Sequence, residues 1–115
     1  VILVVDDNAD LRSTSADVLS LAGHEVATAA SGDEALALMD GGLVPDAILL
    51  DLLMPGMDGA TLLEKLRARP GPRPRVVVVS GLRSRDLKRL LGVDAVLEKP
   101  VDPSEIVAAL GRPAS

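Results

Sequence analysis

Five short apolar runs constrain this chain most: VILVV at 1–5, HEVATAA at 24–30, AILL at 47–50, VVVV at 76–79 and AVLE at 95–98. VILVV, AILL and VVVV show no polar alternation, as expected of strands covered on both faces. HEVATAA alternates and reads as an edge strand. Strands of this kind need a layer above and a layer below, and the intervening segments supply them. Residues 9–22 place Leu11, Val18 and Leu19 on one stripe, with Gly23 as the stop. Ser31 stands three residues before Glu34 at the head of GDEALALM, a capping-box spacing. Asp58 or Gly59 opens ATLLEKLRAR, which PGPRP closes. A short helix candidate covers 83–91 and ends at Gly92; the last, 103–110, begins with Pro103 at a first-turn position. The pattern is (βα)5, an α/β fold with a parallel sheet, right-handed crossovers and helices on both faces.

One domain accounts for all 115 residues, because the only linker-like stretch, RPGPRPR at 69–75, is too short to divide domains. With 48% hydrophobic and 25% charged residues the chain has the composition of a compact fold. It contains no Phe, Tyr or Trp, so its core must be built from Val, Leu, Ile, Ala and Met. A net charge of −5 argues against direct nucleic-acid binding. The absence of cysteine removes disulfides and thiolate metal sites and favours the cytoplasm. No apolar run is long enough to span a membrane, and no signal peptide is visible. The chain starts on a strand pattern without Met and ends in GRPAS, which looks like the beginning of a linker. The start suggests a processed or trimmed chain or a domain cut from something longer, and the end favours excision.

The strand ends carry the chemistry. The first strand ends in Asp6-Asp7, the third in Asp51, the fourth in Ser80, and the fifth runs into Lys99-Pro100. Singly, each has a plainer reading: Asp6-Asp7 as a helix N-cap, Asp51 as a cap or Asx-turn, Ser80-Gly81 as an ordinary turn, Lys99 as a solvated surface cation. In a parallel sheet, however, all of these side chains meet at one edge, where ligands of such folds bind. Carboxylates about 5 Å apart repel by roughly 3 kcal/mol per pair at an effective dielectric near 20, so cations must sit among them. Lys99 supplies one positive charge and a divalent ion the rest; an all-oxygen site with open positions suits Mg²⁺. A carboxylate such as Asp51, held there by a rigid strand, can attack a phosphoryl group in line.

VVDDN (4–8), DLLMPGMDG (51–59), VVVVSG (76–81) and GVDAVLEKP (92–100) together resemble the receiver domain of two-component response regulators, over essentially the whole chain. The resemblance implies a flavodoxin-like (βα)5 three-layer sandwich with strand order 2-1-3-4-5. It implies that Asp51 is the phosphoacceptor and that Asp6 and Asp7 hold Mg²⁺ with the backbone carbonyl of Leu53. It assigns Ser80 to the hydroxyl position and Lys99 to the phosphoryl-binding lysine. Pro100 matches a cis-peptide site, and Pro55, Gly56 and Gly59 match the loop into the third helix. A sensor histidine kinase or phosphotransfer protein would donate the phosphoryl group, and an output domain or effector protein would read the change. A homodimer, a stand-alone regulator and a module of a larger protein are all compatible with it.

Three positions depart from the family pattern. Val96 replaces the usual aromatic switch residue on the fifth strand. Nineteen positions separate Ser80 from Lys99, a few fewer than usual, and the shortening falls on SRDLKRLLG. Leu53 and Leu82 put apolar groups at positions flanking the acceptor that are often polar, which would exclude water and prolong the phosphoryl state. These departures keep an alternative in view, an atypical receiver acting as a phosphorylation-independent interaction module. A phosphatase of the aspartyl-phosphate type would need a second acid two residues after Asp51, where Leu53 stands. A flavin binder would need an aromatic residue to stack on the ring, and there is none.

Overall fold

The computed structural model describes residues 1–51, 59–71, 73–81, 92–99 and 101–110. The helix candidate at 83–91 lies outside these, as do Leu53, Pro55, Gly56, Asp58, Leu82 and Pro100. The elements run β1 (Ile2–Val5), α1 (Ala9–Leu21), β2 (Val26–Ala29), α2 (Gly32–Asp40), β3 (Ala47–Asp51), α3 (Gly59–Ala68), β4 (Arg75–Ser80), β5 (Ala95–Glu98) and α4 (Pro103–Leu110). All strand pairs are parallel, in the order β2-β1-β3-β4-β5. This is the expected order, with the alternating strand β2 at an edge.

The central strands are apolar without alternation because successive side chains enter different cores. Leu3, Val5, Ile48, Leu50 and Val78 point to one side, where Ala35 of α2 and Leu62 and Leu63 of α3 cover them. Ile2, Val4, Leu49 and Val77 point to the other, against Leu19 of α1 and Ile106 and Leu110 of α4. The sheet is therefore the middle of three layers.

Local signals fix the helix ends. Ser31 Oγ accepts the Glu34 N–H at 3.1 Å, as its spacing predicts. Gly23, at φ 97°, takes the chain out of α1 through the left-handed region, and the His24 N–H closes on the Leu19 carbonyl at 3.0 Å. Among the described residues, no helix is long and apolar enough to cross a membrane.

Candidate functional site

The register of the sheet brings the polar strand ends together. Val5 pairs with Leu50, Asp51 with Val79, and Ser80 with Glu98. Asp6, Asp51, Ser80 and Lys99 consequently leave their strands at the same edge. Asp51 is 5% exposed and Ser80 1%, which makes them the buried polar residues among those described. Asp51 is the last residue of β3, so its backbone remains in the ladder while its carboxylate faces the edge.

Lys99 reaches this carboxylate, donating from Nζ to Asp51 Oδ1 at 3.2 Å. Its own N–H donates to the Ser80 carbonyl at 2.9 Å, so the ends of β4 and β5 are tied by backbone. Asp6, Asp7 and Asp51 each present a carboxylate oxygen within 4.8 Å of the others. Burial lifts the Asp6 carboxyl above the ordinary Asp range, and the charges of Asp51 and Asp7 push the same way. The Asn8 N–H and the Lys99 ammonium oppose this, and burial prevails. Three carboxylates with one ammonium leave a charge deficit that one divalent ion would fill. The oxygen-only donor set, with one carboxylate oxygen from each acid gathered within 4.8 Å of the others, also suits a hard cation.

Asp6 is held more firmly than its place in a loop suggests. Its Oδ1 accepts the Asn8 N–H at 2.9 Å, and the Arg12 guanidinium donates to its carbonyl at 2.8 Å. Asn8, not the acid pair, caps α1, with its side-chain oxygen accepting the Asp10 and Leu11 N–H groups at 3.0 and 3.1 Å. Asp6 and Asp7 are thereby released from capping. Asn8 and Arg12 were not singled out from sequence. Asn8 carried a signal, since it stands directly before the helical pattern, at the cap position, with both acids preceding it; Arg12 carried none. Val96, which stands where the resemblance expects an aromatic switch residue, is half-buried in β5 and packs against the core under α2 and α3. Gly59 opens α3, while Leu53, Pro55, Gly56 and Pro100 fall outside the described residues.

The family model for the response regulator receiver domain matches residues 2–111. The transcriptional regulatory protein PrrA of Mycobacterium tuberculosis is 41% identical over 111 residues, covering 93% of this chain and 46% of PrrA. CpxR of Klebsiella pneumoniae, also a transcriptional regulatory protein, is 35% identical over 113 residues, covering 95% of this chain and 47% of CpxR. The chain thus spans under half the length of these curated relatives. Among solved structures, the receiver domain of Francisella response regulator 1452 superposes with a TM-score of 0.85 at 30% identity, covering 95% of this chain and 91% of that one. Chemotaxis protein CheY4 of Vibrio cholerae gives 0.82 at 29% identity, covering 95% and 93%.

Proposed function

Because this chain belongs to the response regulator receiver domains, we propose that Asp51 is the carboxylate on which it accepts a phosphoryl group from a phosphohistidine. A carboxylate oxygen of Asp51 attacks phosphorus in line while the P–N bond of the donor breaks. The imidazole departs and takes a proton from solvent, and an acyl phosphate remains at the end of β3. Lys99 Nζ, already at 3.2 Å from Asp51, moves its hydrogen bond to a phosphoryl oxygen. The Ser80 hydroxyl holds a second oxygen. Asp6, Asp7 and Asp51, with the Leu53 carbonyl, would hold Mg²⁺, which when bound neutralises phosphoryl charge and aligns its oxygens. The observation that carries this reading is the buried Asp51 paired with Lys99 beside two further acids.

The donor is a histidine kinase or a phosphotransfer protein, and the recipient of the signal is an output domain or effector. The relatives named above support an output in transcriptional regulation. Without an aromatic switch, the signal leaves through the backbone bond from the Lys99 N–H to the Ser80 carbonyl, which carries a shift of either residue to its neighbouring strand. Phosphate release should be slow because of Leu53 and Leu82; a rapid release time course from the isolated domain would remove that part of the proposal.

Intact-mass spectrometry after incubation with Mg²⁺ and acetyl phosphate tests the assignment. The chain should gain one phosphoryl group and Asp51→Asn none. Equal uptake by both would move the acceptor elsewhere, and no uptake from acetyl phosphate or a phosphohistidine donor would favour an interaction module.

A further inference from the structure

A cavity of about 490 Å³ opens beside the acceptor, between α1, α4 and the sheet. Its origin is legible in α1. Positions 11, 14, 15 and 18 form the i, i+3, i+4, i+7 stripe that should cover the sheet. Leu11 and Val18 occupy its ends, but the two middle positions are Thr14 and Ser15, whose short side chains line the gap. Val101 and Ile106 face them from the α4 side, and Leu11 is left 46% exposed.

The volume lies within the roughly 300–1,000 Å³ of sites that hold small ligands. Its walls are aliphatic, and its charged groups gather where it meets the sheet edge: Asp6, Asp51 and Lys99. Two carboxylates against one ammonium leave this end negative. A carboxylate offers several acceptor positions, so a cationic head can share these acids with the partners they already have.

We propose that the cavity between α1 and α4 is a binding site for a small amphiphilic cation, an aliphatic ring or short chain bearing one ammonium, with its charge between Asp6 and Asp51. The apolar body covers the sheet where Thr14 and Ser15 fail to, and the cationic head complements the paired acids. The occupant competes with the divalent ion for Asp6 and Asp51 and so suppresses phosphoryl uptake; this consequence rests on the Mg²⁺ site of the preceding reading.

The test uses cyclohexylmethylamine as the probe and cyclohexylmethanol as its neutral counterpart, each titrated into metal-free protein while methyl NMR signals are followed. The amine should shift the methyls of Val18, Val101 and Ile106 and bind at least about tenfold more tightly than the alcohol, the worth of one charge-assisted contact. Thr14→Leu and Ser15→Leu, each checked by retained uptake from acetyl phosphate, should fill the space and lose the amine. Mg²⁺ should displace it. No shifts at these methyls, equal affinity for amine and alcohol, undiminished binding to both filled variants, or indifference to Mg²⁺ would each overturn the proposal. Uptake from acetyl phosphate without amine is scored separately, so a failure of the phosphoacceptor reading remains distinct from a failure of the site.

Discussion

On the α2/α3 side of the sheet, Leu50 and Leu62 are wholly inaccessible and Leu63 nearly so, whereas on the α1/α4 side Leu11 is 46% exposed beside a 490 Å³ cavity. Both sides are built from the same strands, and alternate residues of β1 and β3 serve each of them. The difference lies in the helices. α3 presents adjacent leucines at its point of contact, and α1 presents two hydroxyl residues in the middle of its stripe. The α2/α3 side buries Leu62 and Leu63 of α3 against the strand that carries Asp51, and its own cavity, about 400 Å³ beside Leu63, Arg67 and Asp94, does not include Asp51. The cavity beside α1 is the one that reaches Asp51.

Truncation should expose this asymmetry most strongly. Leu50→Ala or Leu62→Ala should lower unfolding free energy by about 2–5 kcal/mol, the range for fully buried leucines. Leu11→Ala should cost under about 1 kcal/mol, because its side chain is already half in water. Urea unfolding of the three variants makes the comparison, and equal losses would mean that Leu11 is packed as tightly as the core leucines.

Capping should come next in size. Leu11, in the first turn of α1, is 46% exposed and anchors that end little, so the start of the helix depends on Asn8, which satisfies two N–H groups. Asn8→Ala should cost about 1 kcal/mol. Ser31→Ala should cost less, because Ser31 Oγ serves one N–H and α2 is anchored by the buried Ala35. Circular dichroism melts rank the two, and the reverse order would assign the stability of α1 to packing. A smaller effect of opposite sign is expected from Ser15→Leu, a gain of up to about 1 kcal/mol in the metal-free protein as methylenes leave water. A loss would show that the space has no room for the added side chain.

The same contrast separates what could be read in the sequence from what could not. β1, β3 and β4 were legible because strands covered on both faces must be apolar without interruption, and β5 and α4 appear with the bounds expected. HEVATAA shortens to Val26–Ala29, losing its polar start, His24 and Glu25, and Ala30 at its end. The convergence of Asp6, Asp7, Asp51 and Lys99 followed from parallel topology alone, because a parallel sheet gathers its strand ends. The cap at Asn8 escaped because the neighbouring acids drew the capping argument to themselves. The cavity escaped for a different reason: an apolar stripe is recognised by the positions it fills, and Thr14 and Ser15 act through what they leave empty. Whether the shortened SRDLKRLLG alters an output surface lies outside the described residues.

The smallest expected effect concerns the mouth of the cavity beside α1. Burial, supported by the charges of Asp51 and Asp7, raises the folded-state pKa of Asp6 above its unfolded value. The folded chain therefore holds this proton more tightly than the unfolded chain does. The resulting stabilisation is full below the unfolded pKa of Asp and is lost as pH rises through the higher folded value. Above that window the ionised carboxylate is a net cost in the metal-free protein. Asn at position 6 carries no such charge yet keeps an oxygen to accept the Asn8 N–H. Asp6→Asn should thus match the parent in acid and melt slightly higher at neutral pH without metal. Mg²⁺ should shrink or reverse that advantage, since it stabilises only the parent's full set of acids. Melting curves across pH, with and without Mg²⁺, read both. An Asp6→Asn advantage that stayed constant with pH would assign the effect to packing rather than to charge, and one that Mg²⁺ left untouched would remove Asp6 from the metal site.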